Sequence, residues 1–195
     1  MNRRDALKSL GLSLGYVVAT PTILSMLQSC TAHDEKWKPL FFSDKQAYVL
    51  KNLVDLILPT TSTSPGALDV NVPQFIDLYT SETALDEAKD LYKTGLDAII
   101  EELEMSSTEP FHVEKEKFEG LLNKYLRLTP EQQLPYIEQE DSVFMTLLKI
   151  RDQSVWAYLT SQEVGENVLA YDPIPGQQIG CVSLKEATDG KAWSL

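Results

Sequence analysis

The sequence predicts an all-α fold: a compact bundle of about six helices, with an irregular C-terminal tail packed on the surface. Three observations lead there. Apolar residues recur at intervals of three and four in several separate segments, the period of an amphipathic helix. Helix-start patterns stand ahead of some of those segments. No segment alternates apolar and polar residues as a half-buried strand would. With 195 residues, 43% of them hydrophobic, the chain suffices for one domain with a sizeable core but not for a second.

The first helix is expected to begin after Ser43, because Ser43-Asp44-Lys45-Gln46 has the S-x-x-Q form of a capping box. Ala47, Leu50, Leu53, Val54, Ile57 and Leu58 then line one face, and Pro59 stops the helix. Residues 59–73, PTTSTSPGALDVNVP, are too many for a tight turn and too polar for a buried strand, so they form a substantial loop. Pro73 suits the first turn of a short helix carrying Phe75, Ile76, Leu78 and Tyr79. Leu85, Ala88, Tyr92, Leu96, Ile99, Ile100 and Leu103 hold the helical period through the next segment. Phe118, Leu121, Leu122, Tyr125 and Leu126 do so in the one after.

Thr129-Pro130-Glu131-Gln132 is a further start signal, with threonine as cap and proline at the first helical position. A last long helix covers about 142–159, placing Phe144, Leu147, Leu148, Arg151, Val155, Trp156 and Leu159 on or near one face. From Thr160 to Leu184 the period is lost and Pro173, Pro175, Gly176 and Gly180 accumulate, which predicts a loop running over the surface. Its Leu169, Tyr171, Ile174, Ile179 and Val182 are too many apolar groups to leave in water. They cover the domain's own helices or meet another protein.

The formal charge is −12, and the acidity lies almost entirely after residue 29, because the start of the chain holds Arg3, Arg4 and Lys8 against Asp5 alone. Such a surface repels phosphate backbones, so nucleic acid is not an expected partner. Residues 1–29 divide into a short cationic part and a weakly apolar part from about Leu10 to Leu27, broken by Gly11, Ser13, Gly15, Thr20, Pro21, Thr22 and Ser25. That is a poor permanent membrane span and a good export segment. Arg3-Arg4-Asp5-Ala6-Leu7-Lys8 before a weakly apolar core resembles a twin-arginine signal, which engages the machinery that exports folded proteins. The bland alternative is a chance basic N-terminus or an amphipathic helix.

Leu27-Gln28-Ser29-Cys30 resembles a lipoprotein box, in which acylated Cys30 would anchor the chain to a membrane. Cleavage nearby without lipid, or an uncleaved anchor, are the alternatives. Residues 30–42 then read as a flexible tether, and the folded domain as 43–195.

Signs of catalysis are sparse. The chain has no G-x-S-x-G elbow, no H-E-x-x-H, no Walker loop and no GxGxxG, so it offers no catalytic, cofactor-binding or metal-binding residues by motif. His33 and His112 lack a second ligand at metal-binding spacing and read as exposed polar positions. Glu101, Glu102 and Glu104 read as a solvated helix face rather than paired catalytic acids. Cys181 has no histidine near it in sequence, so a buried structural thiol is expected rather than a nucleophile. The tryptophans read as packing or interface anchors.

Three stretches carry a family resemblance: LKNLVDLILPTTSTSPGALDVNVPQFID (Leu50 to Asp77), LTPEQQ (Leu128 to Gln133), and YLTSQEVGENVLAYDPIPGQQIGCV (Tyr158 to Val182). Together they resemble the gluconate 2-dehydrogenase subunit 3 family, the small or gamma subunit of periplasmic flavoprotein dehydrogenases, over roughly Ser43 to Leu184. One departure is Ala157, which stands before Tyr158 where the family pattern often has glycine.

The resemblance implies a non-catalytic accessory subunit with no cofactor of its own. FAD would sit on a large subunit similar to glucose–methanol–choline oxidoreductases, and a cytochrome c subunit carrying haem often takes the electrons onward. The small subunit would carry the export signal for both chains and act in the periplasm, held at the membrane through Cys30. The expected contact surface is the loop with Pro59, Pro65, Gly66 and Pro73, together with the tail through Tyr171, Pro175, Gly176, Gly180 and Cys181. The alternative for these residues is closure of the domain's own fold. The alternative for the whole chain is a free-standing lipoprotein acting as a binding module.

Overall fold

The computed structural model describes residues 37–105, 111–174, 176 and 180–194. Arg3, Arg4, Cys30, His33, Pro175 and Ile179 lie outside the described residues. Six helices form the body: α1 (Asp44–Ile57), α2 (Val72–Thr83), α3 (Asp86–Glu102), α4 (Lys115–Tyr125), α5 (Pro130–Glu138) and α6 (Ser142–Leu159). A π-helical turn, Val164–Val168, and a short α7, Leu184–Thr188, follow. The all-α expectation holds, and no described helix is long and apolar enough to cross a membrane.

The start signals do what their chemistry requires. Gln46 N–H donates to Ser43 Oγ at 3.3 Å while Ser43 N–H donates to Gln46 Oε1 at 3.0 Å, so the capping box satisfies two otherwise orphaned donors. The same buried Gln46 carboxamide donates to Asp97 Oδ1 at 2.7 Å, tying the start of α1 to α3. At α5, Thr129 N–H donates to Gln132 Oε1 at 3.0 Å, with Pro130 in the first turn. Asp141 caps α6 by accepting from Phe144 N–H at 2.8 Å.

Helices α1 and α6 occupy the centre: α6 packs on each of α1 to α5, and α1 on α2, α3, α4 and α6. Leu50, Leu53 and Val54 of α1 are fully buried with Leu96 and Ile99 of α3, Phe118 of α4, and Phe144, Leu147 and Ile150 of α6. Burying such side chains stabilises the fold by roughly 1.5–3 kcal/mol each before entropy is counted. Helices α3 and α6 cross tightly at Gly95, where an added Cβ would overlap the Thr146 side chain, so only glycine fits.

The structure corrects three expectations. The inward face of α6 is Val143, Phe144, Thr146, Leu147, Ile150, Ser154 and Ala157, while Val155 and Trp156 are exposed. Polar Thr146 and Ser154 turn inward while apolar Met145, Val155 and Trp156 turn outward, so the period alone did not say which side faces the core. Leu85 is not a core residue of α3; it is the exposed residue ahead of the first turn. Cys181 is not a buried thiol: every described residue from Tyr171 to Ala187 is exposed, Cys181 among them. That part of the tail is not pulled inward because it returns to the body only near its end. There Ala170 N–H donates to Ala192 C=O and Ser194 N–H to Ala170 C=O, both at 2.9 Å.

Candidate functional site

The family-like segment Val72-Pro73-Gln74-Phe75-Ile76-Asp77 builds the first turns of α2, with Pro73 buried in the opening turn where its missing N–H costs nothing. Asp77 is 1% exposed, yet its carboxylate is fully used. It accepts from Leu40 N–H at 2.6 Å and from Phe41 and Phe42 N–H at 3.0 Å each. Three consecutive backbone donors therefore converge on one side chain, which holds the segment leading into α1. Tertiary contacts thus include Leu40 to Phe42, before Ser43 where the sequence placed the start of the folded domain. Phe42 is buried edge-on against Tyr92 at 5.2 Å.

The loop between α1 and α2 is closed by its own polar groups. Asp69 Oδ2 accepts from Thr60 Oγ1 and from Gly66 N–H, each at 2.7 Å. These two donors hold the Asp69 carboxyl below its usual range, the Gly66 N–H contributing most. Ala67 N–H returns to Leu58 C=O at 2.8 Å. Gly66 is buried, and a Cβ there would stand 2.5 Å from Thr60 Oγ1 and 2.6 Å from Thr60 N, so the loop closes only around glycine. Pro65 offers its C=O to Tyr158 Oη at 2.8 Å, which fastens the loop to the end of α6.

Of the residues expected to form a contact surface, Pro65, Gly66 and Pro73 are thus engaged in closing this domain, and Pro59 is exposed beside them. Tyr171, Gly176, Gly180 and Cys181 are exposed in the tail. The loop meets the tail at the tail's beginning: Pro65, Asp69 and Asn71 face Ser161, Glu163 and Glu166 across an open cleft of about 610 Å³. Glu166 accepts from Gln162 Nε2 at 3.2 Å. Among the described residues, no three His, Cys, Asp or Glu side chains are grouped as a metal site would need.

A second open cleft, about 330 Å³, lies between the end of α3 and α4. Its charges answer one another: Lys124 Nζ bonds Glu102 at 2.5 Å, Tyr125 Oη donates to the same carboxylate at 2.8 Å, and Lys117 reaches Glu104 at 3.5 Å. The hydrogen bond to Glu102 moves the Lys124 ammonium above its ordinary range. Deeper in the body, burial raises the Tyr92 phenol, whose hydroxyl has no hydrogen-bond partner among the described residues, and partial burial lowers the Lys149 ammonium above the Tyr92 ring.

What the sequence did not single out is an exposed aromatic cluster. Phe75 and Tyr79 of α2 stack at 5.7 Å, and Trp156 of α6 meets them edge-on at 5.3 and 5.1 Å. The signal was available in the spacing of Phe75, Leu78 and Tyr79, which lie three and four residues apart and opposite the buried Ile76, Asp77 and Thr80.

In comparison with known proteins, the family model described as Gluconate 2-dehydrogenase subunit 3 matches residues 44–176, from the start of α1 into the exposed tail. No curated protein and no solved structure gave a significant match.

Proposed function

The chain belongs to the gluconate 2-dehydrogenase subunit 3 family, and from that premise we propose the role of this accessory subunit in its complex. It is the non-catalytic partner of a flavoprotein large subunit of glucose–methanol–choline type that oxidises gluconate or another sugar or alcohol. FAD belongs to the large subunit, and haem to a cytochrome c subunit where one joins. The small subunit carries the export signal at Arg3 and Arg4, travels with its folded partner to the periplasm, and holds it at the membrane through acylated Cys30.

The observation that carries this reading is the extent of the family match, which runs from the capping box through α6 and into the tail. Physical economy supports the shared signal: a flavoprotein takes up its cofactor while folding in the cytoplasm, so it requires a route for folded cargo. The exposed tail with Tyr171, Gly176, Gly180 and Cys181 belongs to the contact surface in this reading, because its apolar side chains have no cover in the isolated chain.

The test is to replace Arg3 and Arg4 by lysine and follow the flavoprotein. Loss of flavoprotein from the periplasm is expected. Normal amounts there would overturn the escort role. Isolation in mild detergent is expected to yield a stoichiometric, yellow, flavin-bearing companion; a lone lipoprotein would favour a free-standing binding module.

A further inference from the structure

We propose that the outward face of α2 together with Trp156 of α6, formed by Phe75, Leu78, Tyr79 and Trp156, is a docking surface for the dehydrogenase large subunit in addition to the tail. This rests on the subunit reading above and adds where the two chains meet.

Helix α2 is apolar on two opposite sides. Its inner side, with Val72, Pro73, Ile76 and Thr80, is buried in the body. Its outer side, where an amphipathic helix would carry charge, instead presents Phe75, Leu78 and Tyr79. Phe75 and Tyr79 are each 38% exposed and Trp156 is 42% exposed, so every ring shows a large face to water while being braced by the other two. Rings held in this way lose little freedom on binding, and Trp and Tyr are the residues most often found to dominate interfaces.

The charge pattern around the cluster points the same way. In a chain with 29 acids and 17 bases, residues 72–81 hold one charged side chain, Asp77, and that is turned inward onto three backbone N–H groups. Residues 153–159 hold none. By contrast, α3 and α4 are densely charged along their solvent sides. Depletion of charge together with aromatic enrichment is the compositional mark of an interface core, whereas average apolarity is not. Charge returns only at the edge, with exposed Glu82 one turn from Tyr79 and exposed Asp152 one turn from Trp156, so an uncharged aromatic centre is framed by a charged rim as in an interface. For a member of a subunit family, the dehydrogenase large subunit is the partner that requires such a contact.

The experiment is co-expression of the full chain with its flavoprotein, capture through a tag on the small subunit, and measurement of bound flavoprotein by flavin absorbance and mass. Trp156→Ala is expected to weaken retention at least tenfold. Leu78→Lys does the same by placing a charge on an already exposed position, where the fold is not at risk; unfolding curves of both variants accompany the capture. Leu134→Ser, at an exposed apolar position on α5, serves as the comparison and is expected to retain the flavoprotein; a loss equal to that of Trp156→Ala would overturn the docking surface. If both face variants retain the flavoprotein as the unaltered chain does, the docking surface is wrong and the subunit role stands. If the unaltered chain captures no flavoprotein, the subunit reading fails and this inference fails with it. If the isolated chain is a dimer that Leu78→Lys converts to monomer, the face joins two copies and the proposal is overturned.

Discussion

Two segments of this chain, residues 59–73 and 169–184, are alike in composition and opposite in behaviour. Both are rich in proline, glycine and small polar residues, and both interrupt the helical pattern. The first is fastened at every turn: Asp69 collects Thr60 and Gly66, Ala67 returns to Leu58, and Tyr158 reaches across to Pro65. The second leaves Tyr171, Ile174, Cys181 and Val182 in solvent. The difference is not propensity. A loop becomes part of the body when a side chain is placed to take up its free backbone donors, and one of its residues is small enough to let the chain close.

Asp77 applies the same device to the residues before α1, and removing it is the severest way to break the contrast. Asp77→Ala leaves three backbone donors without an acceptor, Phe42 N–H among them buried. A loss of about 3 kcal/mol is expected, seen as a fall in Tm of roughly 10 °C. Asp77→Asn, which keeps one acceptor oxygen, should lose about half as much. If thermal unfolding of Asp77→Ala matches the parent, the capture of residues 40–42 contributes nothing.

Gly66→Ala comes next. Its Cβ would press on the backbone of Thr60, and the loop must shift to admit it, at about 2 kcal/mol in urea unfolding. Below that lies the carboxylate that closes the loop. Asp69 has its folded pKa lowered by Gly66 and Thr60, so its contribution is complete above the unfolded value of about 4 and is lost as pH falls through the folded value. Asp69→Asn should therefore remove a small part of the acid-induced loss of stability. The effect is modest because the group is exposed and solvent-screened. Urea midpoints measured across the acid range in both proteins check the sign.

The smallest effect is expected in the tail. An added Cβ at Gly176 or Gly180 meets nothing among the described residues, so Gly176→Ala and Gly180→Ala should leave stability within about 0.5 kcal/mol of the parent. A large loss at either would mean that the tail is held as tightly as the loop, and the contrast between the two segments would disappear.

The local grammar of this protein was legible in its residues. Ser43 with Gln46, Thr129 with Gln132, and the prolines at 59, 73 and 130 set where helices start and stop, because those choices depend on groups within about four positions of one another. The inner faces of α1 and α4 were equally plain, since Leu50, Leu53 and Val54, and Phe118, Leu121 and Leu122, recur on one side with charge on the other.

What only tertiary structure decided is everything that depends on a distant neighbour. Asp77 gathers donors 35 to 37 residues away, and Tyr158 fastens a carbonyl 93 residues away. In α6, whose apolar residues are spread over both faces, packing alone chose Ile150, Ser154 and Ala157 for the interior and left Trp156 beside Phe75 and Tyr79. Periodicity reports a preferred side only when the other side is polar; where both are apolar, the neighbours available for packing make the choice.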